Sequence, residues 1–443
     1  MEFEGTPIYI RPDKPDWFVP NAAGDAVLQR LGAGAAGGGV LQVERFLSRL
    51  PDDPPREYRG RAEALAADAL SELWLHVTNR CNLTCRHCLF ASAPDDAAEL
   101  PAERILELGR QAWSLGCRVF ALTGGEPFVH ARFEALIDGL LRHDGARVVV
   151  LTNGTLLQRH GDTLRRWPSD RVHLQISVDG LAEHHDHARG PGAFNRLRKE
   201  LQWLRGAGVP FTLSTCVMQT NVGDLPGLVD WAAEVGAANV HLMWYFVRGR
   251  GGQEGWAAVD EIFDQLRPAA LRAEAAGVGL DNIDALKGQV FAPAGTIHDG
   301  TGAGWDSVAV GPDGRLYPSP ALVGVQALAT EIDGGLAGAW QGSRVLERIR
   351  RVTAAGLHSP LRFILGGGDL DHCYTHAGQF LGCDPYESLH ERTALWLIAR
   401  EASRQPNDGP PRLRLKMGEV LESCGPHGPV ATIHSNCLLS VAQ

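Results

Sequence analysis

The chain has 443 residues, of which 44% are apolar, 21% are charged, 52 are glycine and 26 are proline. These proportions are those of a globular protein with ample apolar residues for a core, and they exclude a low-complexity chain. The formal net charge of −10 argues against a protein that binds nucleic acid through a generally basic surface. No apolar stretch reaches the roughly 18 residues of a membrane span, and the acidic N-terminus does not resemble a signal peptide. We therefore expect a cytoplasmic protein that has neither a membrane nor a nucleic acid partner.

Residues 1–62 predict a small α+β unit that ends in a linker. Strand patterns at 7–11 and 17–21 can pair as a hairpin. Asn21 then stands where the N-cap of an amphipathic helix belongs. The Pro-, Asp- and Arg-rich residues 51–62 are typical of a linker.

Residues 63–280 alternate between strand and helix patterns. Several of the strand patterns are apolar throughout, as expected for parallel strands that are covered on both faces. Repeated βα units with short connections imply a parallel sheet with right-handed crossovers. The predicted strands are 73–77, 119–123, 147–152, 172–178, 211–218 and 240–246. Six such units favour an open, partial (β/α)6 TIM-like barrel over a closed barrel of eight.

Residues 281–443 break this rhythm and form a separate, irregular region. The glycine-rich stretch up to Gly304 predicts a loop, and the turn Pro312-Asp313-Gly314 predicts a β-hairpin over 307–317. A helical pattern follows at 388–403. The overall expectation is an α/β protein of three parts, with boundaries near residues 62 and 280.

The nine cysteines are spread unevenly along the chain. In a reducing compartment, clustered cysteines serve more often as metal ligands or catalytic groups than as disulfides. Cys81, Cys85 and Cys88 lie in a predicted loop directly after a strand. Three thiolates at this spacing can hold a [4Fe–4S] cluster and leave one iron open to a further ligand. A zinc site with His87 as the fourth ligand is the alternative.

The spacing Cys-x3-Cys-x2-Cys, with Phe90 just beyond it, resembles the radical S-adenosylmethionine (SAM) superfamily. Further motifs of that superfamily follow in order, at the ends of the predicted strands. They are Thr123-Gly124-Gly125-Glu126-Pro127, Thr152-Asn153-Gly154-Thr155, Ile176-Ser177-Val178-Asp179-Gly180 with Arg189, and Phe246-Val247-Arg248-Gly249-Arg250-Gly251. Ligands of α/β sheets and barrels bind at this edge. The resemblance covers residues 73–251.

The resemblance implies the chemistry of the superfamily. Cys81, Cys85 and Cys88 would ligate a [4Fe–4S] cluster whose open iron binds SAM. An electron from a donor such as flavodoxin or ferredoxin would cleave SAM to methionine and a 5′-deoxyadenosyl radical. That radical would take a hydrogen atom from the substrate. The residues implied to contact SAM are Gly124, Gly125, Glu126, Pro127, Asn153, Ser177, Asp179, Arg189, Arg248 and Gly249.

The C-terminal region resembles the SPASM or twitch extension of radical SAM enzymes, from the hairpin at 307–317 onward. The family has a cysteine where this chain has Ser319 and another where it has Leu365, so the usual two-cluster ligand set is incomplete. One auxiliary [4Fe–4S] cluster is still implied, because a full set of four thiolates remains. Its ligands would be Cys373, Cys383, Cys424 and Cys437.

Other roles for these cysteines stay open. Cys373, Cys424 or Cys437 is a candidate catalytic thiol if it does not ligate a cluster, and simple burial is the third reading. Cys117 and Cys216 fall beside or within predicted strands and are expected in the core.

The N-terminal unit, over residues 6–51, resembles the small winged-helix domain that binds leader peptides in many peptide-maturing radical SAM enzymes. It implies a ribosomally made peptide substrate whose leader docks by strand addition, and formation of a thioether, a C–C crosslink or an epimerised centre. A simple N-terminal cap on the barrel is the alternative.

Two other functions stay open, because fold does not determine substrate. One is a radical SAM enzyme that acts on a small metabolite or cofactor precursor, and the other is a non-catalytic zinc or iron–sulfur scaffold.

Overall fold

Short apolar runs separated by helices give the chain a central parallel β-sheet. The computed structural model describes residues 1–34, 41–52 and 57–419. In chain order the strands are β1 (Glu2–Phe3), β2 (Thr6–Pro7), β3 (Tyr9–Arg11), β4 (Asp16–Pro20), β5 (Glu72–Thr78), β6 (Val119–Gly124), β7 (Arg147–Thr152), β8 (Val172–Ser177), β9 (Phe211–Val217), β10 (Asn239–Trp244), β11 (Gly279–Leu280), β12 (Ser307–Val310), β13 (Leu316–Tyr317) and β14 (Leu413–Lys416). The α-helices are α1 (Ala22–Gly32), α2 (Leu41–Leu47), α3 (Arg61–Ala64), α4 (Ala102–Ser114), α5 (Phe133–Leu140), α6 (Gly161–Arg166), α7 (Ala182–Arg189), α8 (Ala193–Ala207), α9 (Leu225–Val235), α10 (Val259–Ala276), α11 (Asp281–Val290), α12 (Leu336–Gly342), α13 (Arg344–Arg351), α14 (Arg362–Leu365), α15 (Leu370–Ala377) and α16 (Glu387–Ser403).

The central sheet has nine strands in the order β11-β10-β9-β8-β7-β6-β5-β12-β13. Neighbouring strands pair in parallel, except that β12 and β13 form an antiparallel hairpin. The six predicted strands correspond to β5 to β10 and stand side by side in chain order. Within the described residues β11 and β13 are the two edges and do not pair with each other. The prediction of an open, partial barrel is therefore confirmed.

Helices pack on the sheet through apolar faces, as α4 illustrates. This helix begins at Ala102 after Pro101, whose fixed φ suits the start of a helix. Ile105, Leu108 and Ala112 recur at helical spacing, and all three are fully buried. Burial of a side chain such as leucine stabilises a fold by about 1.5–3 kcal/mol, so this face holds α4 in place.

The N-terminal hairpin and its helix cap form as predicted. β3 pairs with β4, and the Asn21 side chain accepts a hydrogen bond from the Gly24 amide at 2.9 Å, which caps α1. The third strand of this small sheet is β14, which comes from the far end of the described chain and is not predicted by the sequence. Lys416 lies opposite Phe18, and Asn21 Nδ2 donates to the Pro410 carbonyl oxygen at 2.9 Å.

The prediction of a loop between the helix ending at 276 and Gly304 is wrong. Helix α11 occupies part of this stretch and buries Ile283 and Leu286. Gly288 lies within the helix and weakens its sequence signal, because glycine has low helix propensity. Packing against the rest of the protein outweighs that propensity.

Between β7 and β8 the sequence pattern predicts a helix over residues 155–167, but the helix in the structure is shorter. A single 3-10 turn at Gln158–His160 precedes the short helix α6, which begins only at Gly161. A Cβ atom on Gly161 would lie 2.7 Å from the Trp203 ring. The first residue of α6 therefore packs closely against α8.

The predicted hairpin over 307–317 is confirmed, and it extends the central sheet. β12 pairs in parallel with β5, with Val308 opposite Leu73, and the Ser307 hydroxyl donates to Glu72 at 3.0 Å. The sheet thus crosses the boundary expected near residue 280, and the division of the chain into three parts stays a prediction. In the described ranges, we find no helix both long and apolar enough to cross a bilayer.

Candidate functional site

The predicted cluster loop, residues 79–93, follows the carboxyl end of β5. Cys81 and Cys85 are buried, and Cys88 is partly exposed. The Cys81 amide donates to the Ala93 carbonyl oxygen at 3.1 Å, which closes the loop. Burial raises the pKa of the Cys81 thiol to about 12 and also raises that of Cys85. A bound cation compensates a buried thiolate in place of the proton, so this donor set fits a metal cluster.

Gly124 and Gly125 bring the end of β6 against the cluster loop. A Cβ atom on Gly124 would lie 2.2 Å from the Thr78 carbonyl oxygen, and one on Gly125 would lie 2.3 Å from that of Arg80. The Gly125 amide donates to the Thr78 carbonyl oxygen at 2.7 Å. Both glycines are therefore required for contact between two segments of the chain itself. Their contact with SAM stays a prediction.

The loop after β10 supports the cluster loop from another side. A Cβ atom on Gly249, whose φ is +66°, would lie 2.3 Å from the Cys88 carbonyl oxygen. Arg250 Nε donates to the Cys85 carbonyl oxygen at 2.7 Å, and its Nη2 donates to that of Ser92 at 2.9 Å. Arg250 is not among the predicted site residues. Only the fold shows that its guanidinium reaches the main chain of the cysteine motif.

Glu126 is fully buried, and the protein itself satisfies its carboxylate. Oε1 accepts hydrogen bonds from the Thr152 hydroxyl at 2.8 Å and the Phe128 amide at 3.1 Å. Oε2 accepts one from the Asn153 amide at 2.7 Å. Burial raises the pKa of Glu126 to about 7. The side chain thus joins the ends of β6 and β7, and the neighbouring Pro127 is buried in a 3-10 turn.

Asn153 connects the end of β7 to the cluster loop. Its Nδ2 donates to Asn82 Oδ1 at 2.8 Å, and Asn82 Nδ2 donates to Thr155 Oγ1 at 2.8 Å. Asn82 directly follows Cys81 in the sequence. The predicted motif at 152–155 therefore orients the start of the cysteine motif.

Asp179, Arg189 and His87 form a buried group of charged and polar side chains beside the cysteines. Arg189 Nε donates to Asp179 Oδ2 at 2.5 Å, and His87 Nε2 lies 3.0 Å from the same oxygen. Burial opposes ionisation of Asp179, but Arg189 and His87 outweigh it and hold the pKa of Asp179 well below its usual range. Because His87 lies between Cys85 and Cys88, this group ties the cluster loop to the end of β8.

The zinc alternative fits this geometry less well than a cluster. His87, the expected fourth ligand, is directed at Asp179. Across residues 1–34, 41–52 and 57–419, no three His, Cys, Asp or Glu side chains converge where a single metal ion could bind. Ligands of a [4Fe–4S] cluster bind separate irons and stand farther apart, so the three thiols suit a cluster.

Comparison with known families identifies the fold of this site. Residues 75–232 match the family described as the radical SAM superfamily. This part of the chain belongs to the radical SAM superfamily. The cluster loop, the glycine pair and the motifs after β7 and β8 all lie inside the matched residues.

Three curated proteins are similar in sequence to parts of this chain. The chain is 36% identical over 182 residues to the AdoMet-dependent heme synthase of Methanosarcina barkeri, covering 40% of this chain and 51% of that protein. It is 26% identical over 246 residues to the antilisterial bacteriocin subtilosin biosynthesis protein AlbA of Bacillus subtilis, covering 55% and 53%. It is 29% identical over 306 residues to the mycofactocin maturase MftC of Mycolicibacterium smegmatis, covering 65% and 74%. The chain thus spans about half the length of the first two relatives.

Solved structures share the fold at low sequence identity. SuiB of Streptococcus suis, bound to the precursor peptide SuiA, superimposes with a TM-score of 0.59 at 15% identity over 82% of this chain and 88% of SuiB. Native anSMEcpe with bound AdoMet superimposes with a TM-score of 0.63 at 15% identity over 75% of this chain and 98% of that one. The chain thus shares the fold of these two structures over most of its length.

Two other residues predicted to contact SAM stand at the edge of the radical SAM sheet. Ser177 ends β8 and lies opposite Ser214 of β9. Arg248 Nη2 donates to the Val323 carbonyl oxygen at 2.6 Å, and its Nη1 donates to that of Ala321. The Arg248 guanidinium therefore connects this edge to the C-terminal region. Contacts of Ser177 and Arg248 with SAM stay predictions.

The structure brings together two of the four C-terminal cysteines. Cys373 is buried on α15, and Cys383 Sγ lies 3.8 Å from the Cys373 carbonyl oxygen. Cys424 and Cys437 lie outside the described residues. The auxiliary cluster and the catalytic thiol therefore both stay predictions.

The two cysteines expected in the core differ in their environment. Cys117 is fully buried, and its thiol donates to the Val119 carbonyl oxygen at 3.2 Å. Cys216 is only partly buried and packs beside Tyr245. Its amide donates to Asp179 Oδ1 at 3.0 Å, which places it next to the cluster loop. The core prediction thus holds for Cys117 and only in part for Cys216.

A cavity of about 260 Å³ lies between the sheet and the C-terminal region of the chain. Its wall includes Leu89 and Phe90, which directly follow Cys88, and Thr123, which precedes Gly124. The C-terminal region contributes Pro320, Leu365, Asp369, Asp371 and His372. The cavity therefore adjoins the cluster loop and the glycine pair, and it is the candidate substrate site.

Proposed function

We propose that this chain is a radical SAM enzyme that modifies a ribosomally made peptide. The observation that carries the proposal is the loop with Cys81, Cys85 and Cys88, which lies at the carboxyl edge of the sheet beside a cavity. Two relatives are named for the biosynthesis of subtilosin and the maturation of mycofactocin, and SuiB was solved with a precursor peptide. These names support a peptide substrate.

The cluster and SAM, when bound, supply one-electron cleavage of SAM to a 5′-deoxyadenosyl radical that takes a hydrogen atom from the substrate. The residues of the chain hold and orient these groups. Cys81, Cys85 and Cys88 would ligate the cluster, while Arg250 and the buried Asp179 keep their loop in position. The ends of β6, β7, β8 and β10 carry the residues that would contact SAM. A flavodoxin or ferredoxin delivers the electron.

We assign one auxiliary [4Fe–4S] cluster to the C-terminal region, with Cys373, Cys383, Cys424 and Cys437 as its ligands. Cys373 and Cys383 are ten positions apart in the sequence and adjacent in the fold, which supports a shared site. Such a cluster would serve electron transfer, since four thiolates would leave no open iron.

We assign leader binding to the N-terminal unit, residues 1–62. β14 already occupies one side of β4, while β3 is an edge strand of the small sheet within the described residues. A peptide strand can add along such an edge. The leader therefore adds along Tyr9–Arg11.

A second candidate function is modification of a small cofactor precursor. The heme synthase is 36% identical to this chain over 182 residues, compared with 26% over 246 residues for AlbA and 29% over 306 residues for the mycofactocin maturase. The two functions share the cluster loop and differ in what enters the cavity.

Anaerobic reconstitution with iron and sulfide, followed by SAM and dithionite, tests the enzymatic proposal. We expect 5′-deoxyadenosine from the wild-type chain and from Cys117→Ala, a buried cysteine outside the loop. The triple variant Cys81→Ala/Cys85→Ala/Cys88→Ala should form none. If the wild-type chain forms no product, the proposal is contradicted, and a non-catalytic scaffold is the function that remains.

Coexpression with a short peptide encoded beside the gene tests the substrate class. A mass change in that peptide that depends on the three cysteines is expected. An unchanged peptide, together with active SAM cleavage, favours the small-molecule substrate.

A further inference from the structure

Asp371 is a buried carboxylate in the wall of the cavity. It lies in the first turn of α15 and is 4% exposed. Its Oδ1 accepts a hydrogen bond from the Ser319 hydroxyl. A single hydrogen bond from a neutral group does not compensate a buried negative charge, which is stable only beside a cation or several donors.

The protein supplies no cation within the cavity to meet this charge. No lysine or arginine is among the described residues of the cavity wall. Burial raises the pKa of Asp371 to about 6, while the Ser319 hydrogen bond and the nearby Arg248 act in the opposite direction. Both Nη atoms of Arg248 donate to main-chain carbonyl oxygens of the neighbouring turn. Asp369, the other carboxylate of the wall, accepts hydrogen bonds from the amides of Asp371 and His372 and so caps α15.

The remaining wall of the cavity also suits a positive charge. His241 is 8% exposed, and its Nδ1 has no hydrogen-bond partner among the described residues. Burial lowers the pKa of His241 to about 4, so this ring is neutral at pH 7 and does not offset the carboxylate. Aromatic rings attract cations through their faces. Those of the wall are Trp74, Phe90, Trp244 and Phe246.

We propose that this cavity binds an amine or guanidinium side chain of the substrate, with Asp371 as the acceptor of its hydrogen bonds. The proposal rests on the proposed function, because it takes the cavity as the substrate site. Leu89 and Phe90 place the same cavity next to Cys88. Anchoring the basic end of a side chain at Asp371 therefore leaves its aliphatic carbons toward the cluster loop. A lysine or arginine residue of a peptide has this shape.

Two small probes that differ only by an ammonium group test the proposal. N-acetyl-lysine-N-methylamide and N-acetyl-norleucine-N-methylamide share an aliphatic stem, and only the first carries an ammonium group. Each is titrated by anaerobic calorimetry into the reconstituted full chain with SAM. We expect the lysine probe to bind at least about tenfold more tightly than the norleucine probe. Only the lysine probe can donate a charge-assisted hydrogen bond to the buried carboxylate.

Asp371→Asn is the matched variant, because it keeps the shape of the side chain and removes its charge. It should reduce the preference for the lysine probe to less than about threefold. The control is Asp162→Asn on α6, whose side chain is fully exposed and which should keep the wild-type preference.

Equal binding of the two probes to the wild-type chain, no binding of the lysine probe, or an undiminished preference in Asp371→Asn would overturn the proposal. The comparison of the two probes on the wild-type chain tests the proposal even if Asp371→Asn does not fold. Formation of 5′-deoxyadenosine is measured in the same preparations. Active SAM cleavage without a preference for lysine rejects only the role of the cavity, whereas inactive wild-type enzyme rejects the proposed function itself.

Discussion

Arg250 donates a hydrogen bond from its Nε to the carbonyl oxygen of Cys85 at 2.7 Å, across 165 positions of sequence. Its Nη2 donates to the Ser92 carbonyl oxygen at 2.9 Å, so one guanidinium spans both halves of the cluster loop. The shape of the cysteine motif therefore depends on the loop after β10, which lies outside the residues matched to the superfamily.

Arg250→Lys should weaken cluster binding. Lysine keeps the charge but cannot reproduce the two-armed contact of a guanidinium. A hydrogen bond from a charged donor contributes about 1.5–3 kcal/mol, so we expect the reconstituted variant to lose most of the roughly four irons that the loop with Cys81, Cys85 and Cys88 would hold. Arg272→Lys is the control, because its side chain is half exposed and pairs only with Asp230 on the surface. Full iron content in Arg250→Lys would refute the role of this contact.

Gly125→Ala should destabilise the protein and reduce SAM cleavage. The added Cβ would lie 2.3 Å from the Arg80 carbonyl oxygen, so the main chain must move. Overpacking of this kind costs about 1–3 kcal/mol, which urea unfolding of the apoprotein measures. Gly206→Ala on α8 is the control: its Cβ meets no atom within 4 Å, and alanine there should be neutral or stabilise by up to about 1 kcal/mol. Equal stability of the two variants would show that the strand end tolerates a side chain.

Asp179→Asn should remove the ionised partner of the buried Arg189. Breaking one side of a buried ion pair costs about 3–5 kcal/mol, because the remaining charge is left uncompensated. Urea unfolding should therefore show a much lower midpoint than for the wild-type chain. Asp162→Asn, an exposed carboxylate, should leave the midpoint unchanged. A small loss in Asp179→Asn would mean that water or another group replaces the carboxylate.

Glu126 should make the apoprotein less stable as the pH rises toward 7. Burial raises its pKa from 4.5 to about 7, so between these values the folded state keeps a proton that the unfolded state has lost. Stability falls by about 1.4 kcal/mol per pH unit in this window, or roughly 3 kcal/mol in all. Glu126→Gln has no titratable carboxyl group at this position and so lacks this loss of stability. The Tm of the variant relative to wild type should therefore rise between pH 5 and pH 7.5. A difference in Tm that does not change with pH would contradict the raised pKa.

The iron content of the reconstituted chain should distinguish one cluster from two. We expect about eight irons per chain if the C-terminal cysteines hold a second [4Fe–4S] cluster, and about four if they do not. Cys373→Ser/Cys383→Ser should then lose about four irons and keep SAM cleavage without substrate. Four irons in the wild-type chain would refute the auxiliary cluster and leave these cysteines as buried or catalytic thiols.

Several elements follow directly from local patterns in the sequence. The apolar run at β7 and the amphipathic spacing of α4 predict their structures, because a strand or helix needs only neighbouring residues to define its faces. The order of the motifs after Cys81 also identifies the superfamily, since each motif lies at the end of a predicted strand. The local sequence pattern does not predict helix α11, because its glycine weakens the helical signal and its stability comes from packing.

The site was predictable only in part. The sequence singles out Gly124 and Gly125 as residues near SAM, and the structure adds that the main chain of Thr78 and Arg80 leaves no room for a side chain there. Arg250 is one of many arginines in the sequence, and only its position beside Cys85 distinguishes it.

The sequence alone determined three cysteines at fixed spacing, the motifs that accompany them, and the alternation that builds a partial barrel. The tertiary structure decided what lies beside these features. It placed β14 against the N-terminal hairpin, the Arg250 guanidinium on the cluster loop, and Asp371 in the wall of the cavity. Local patterns encode the direction of neighbouring side chains, whereas contacts between distant segments depend on how the whole chain packs, which no local pattern specifies.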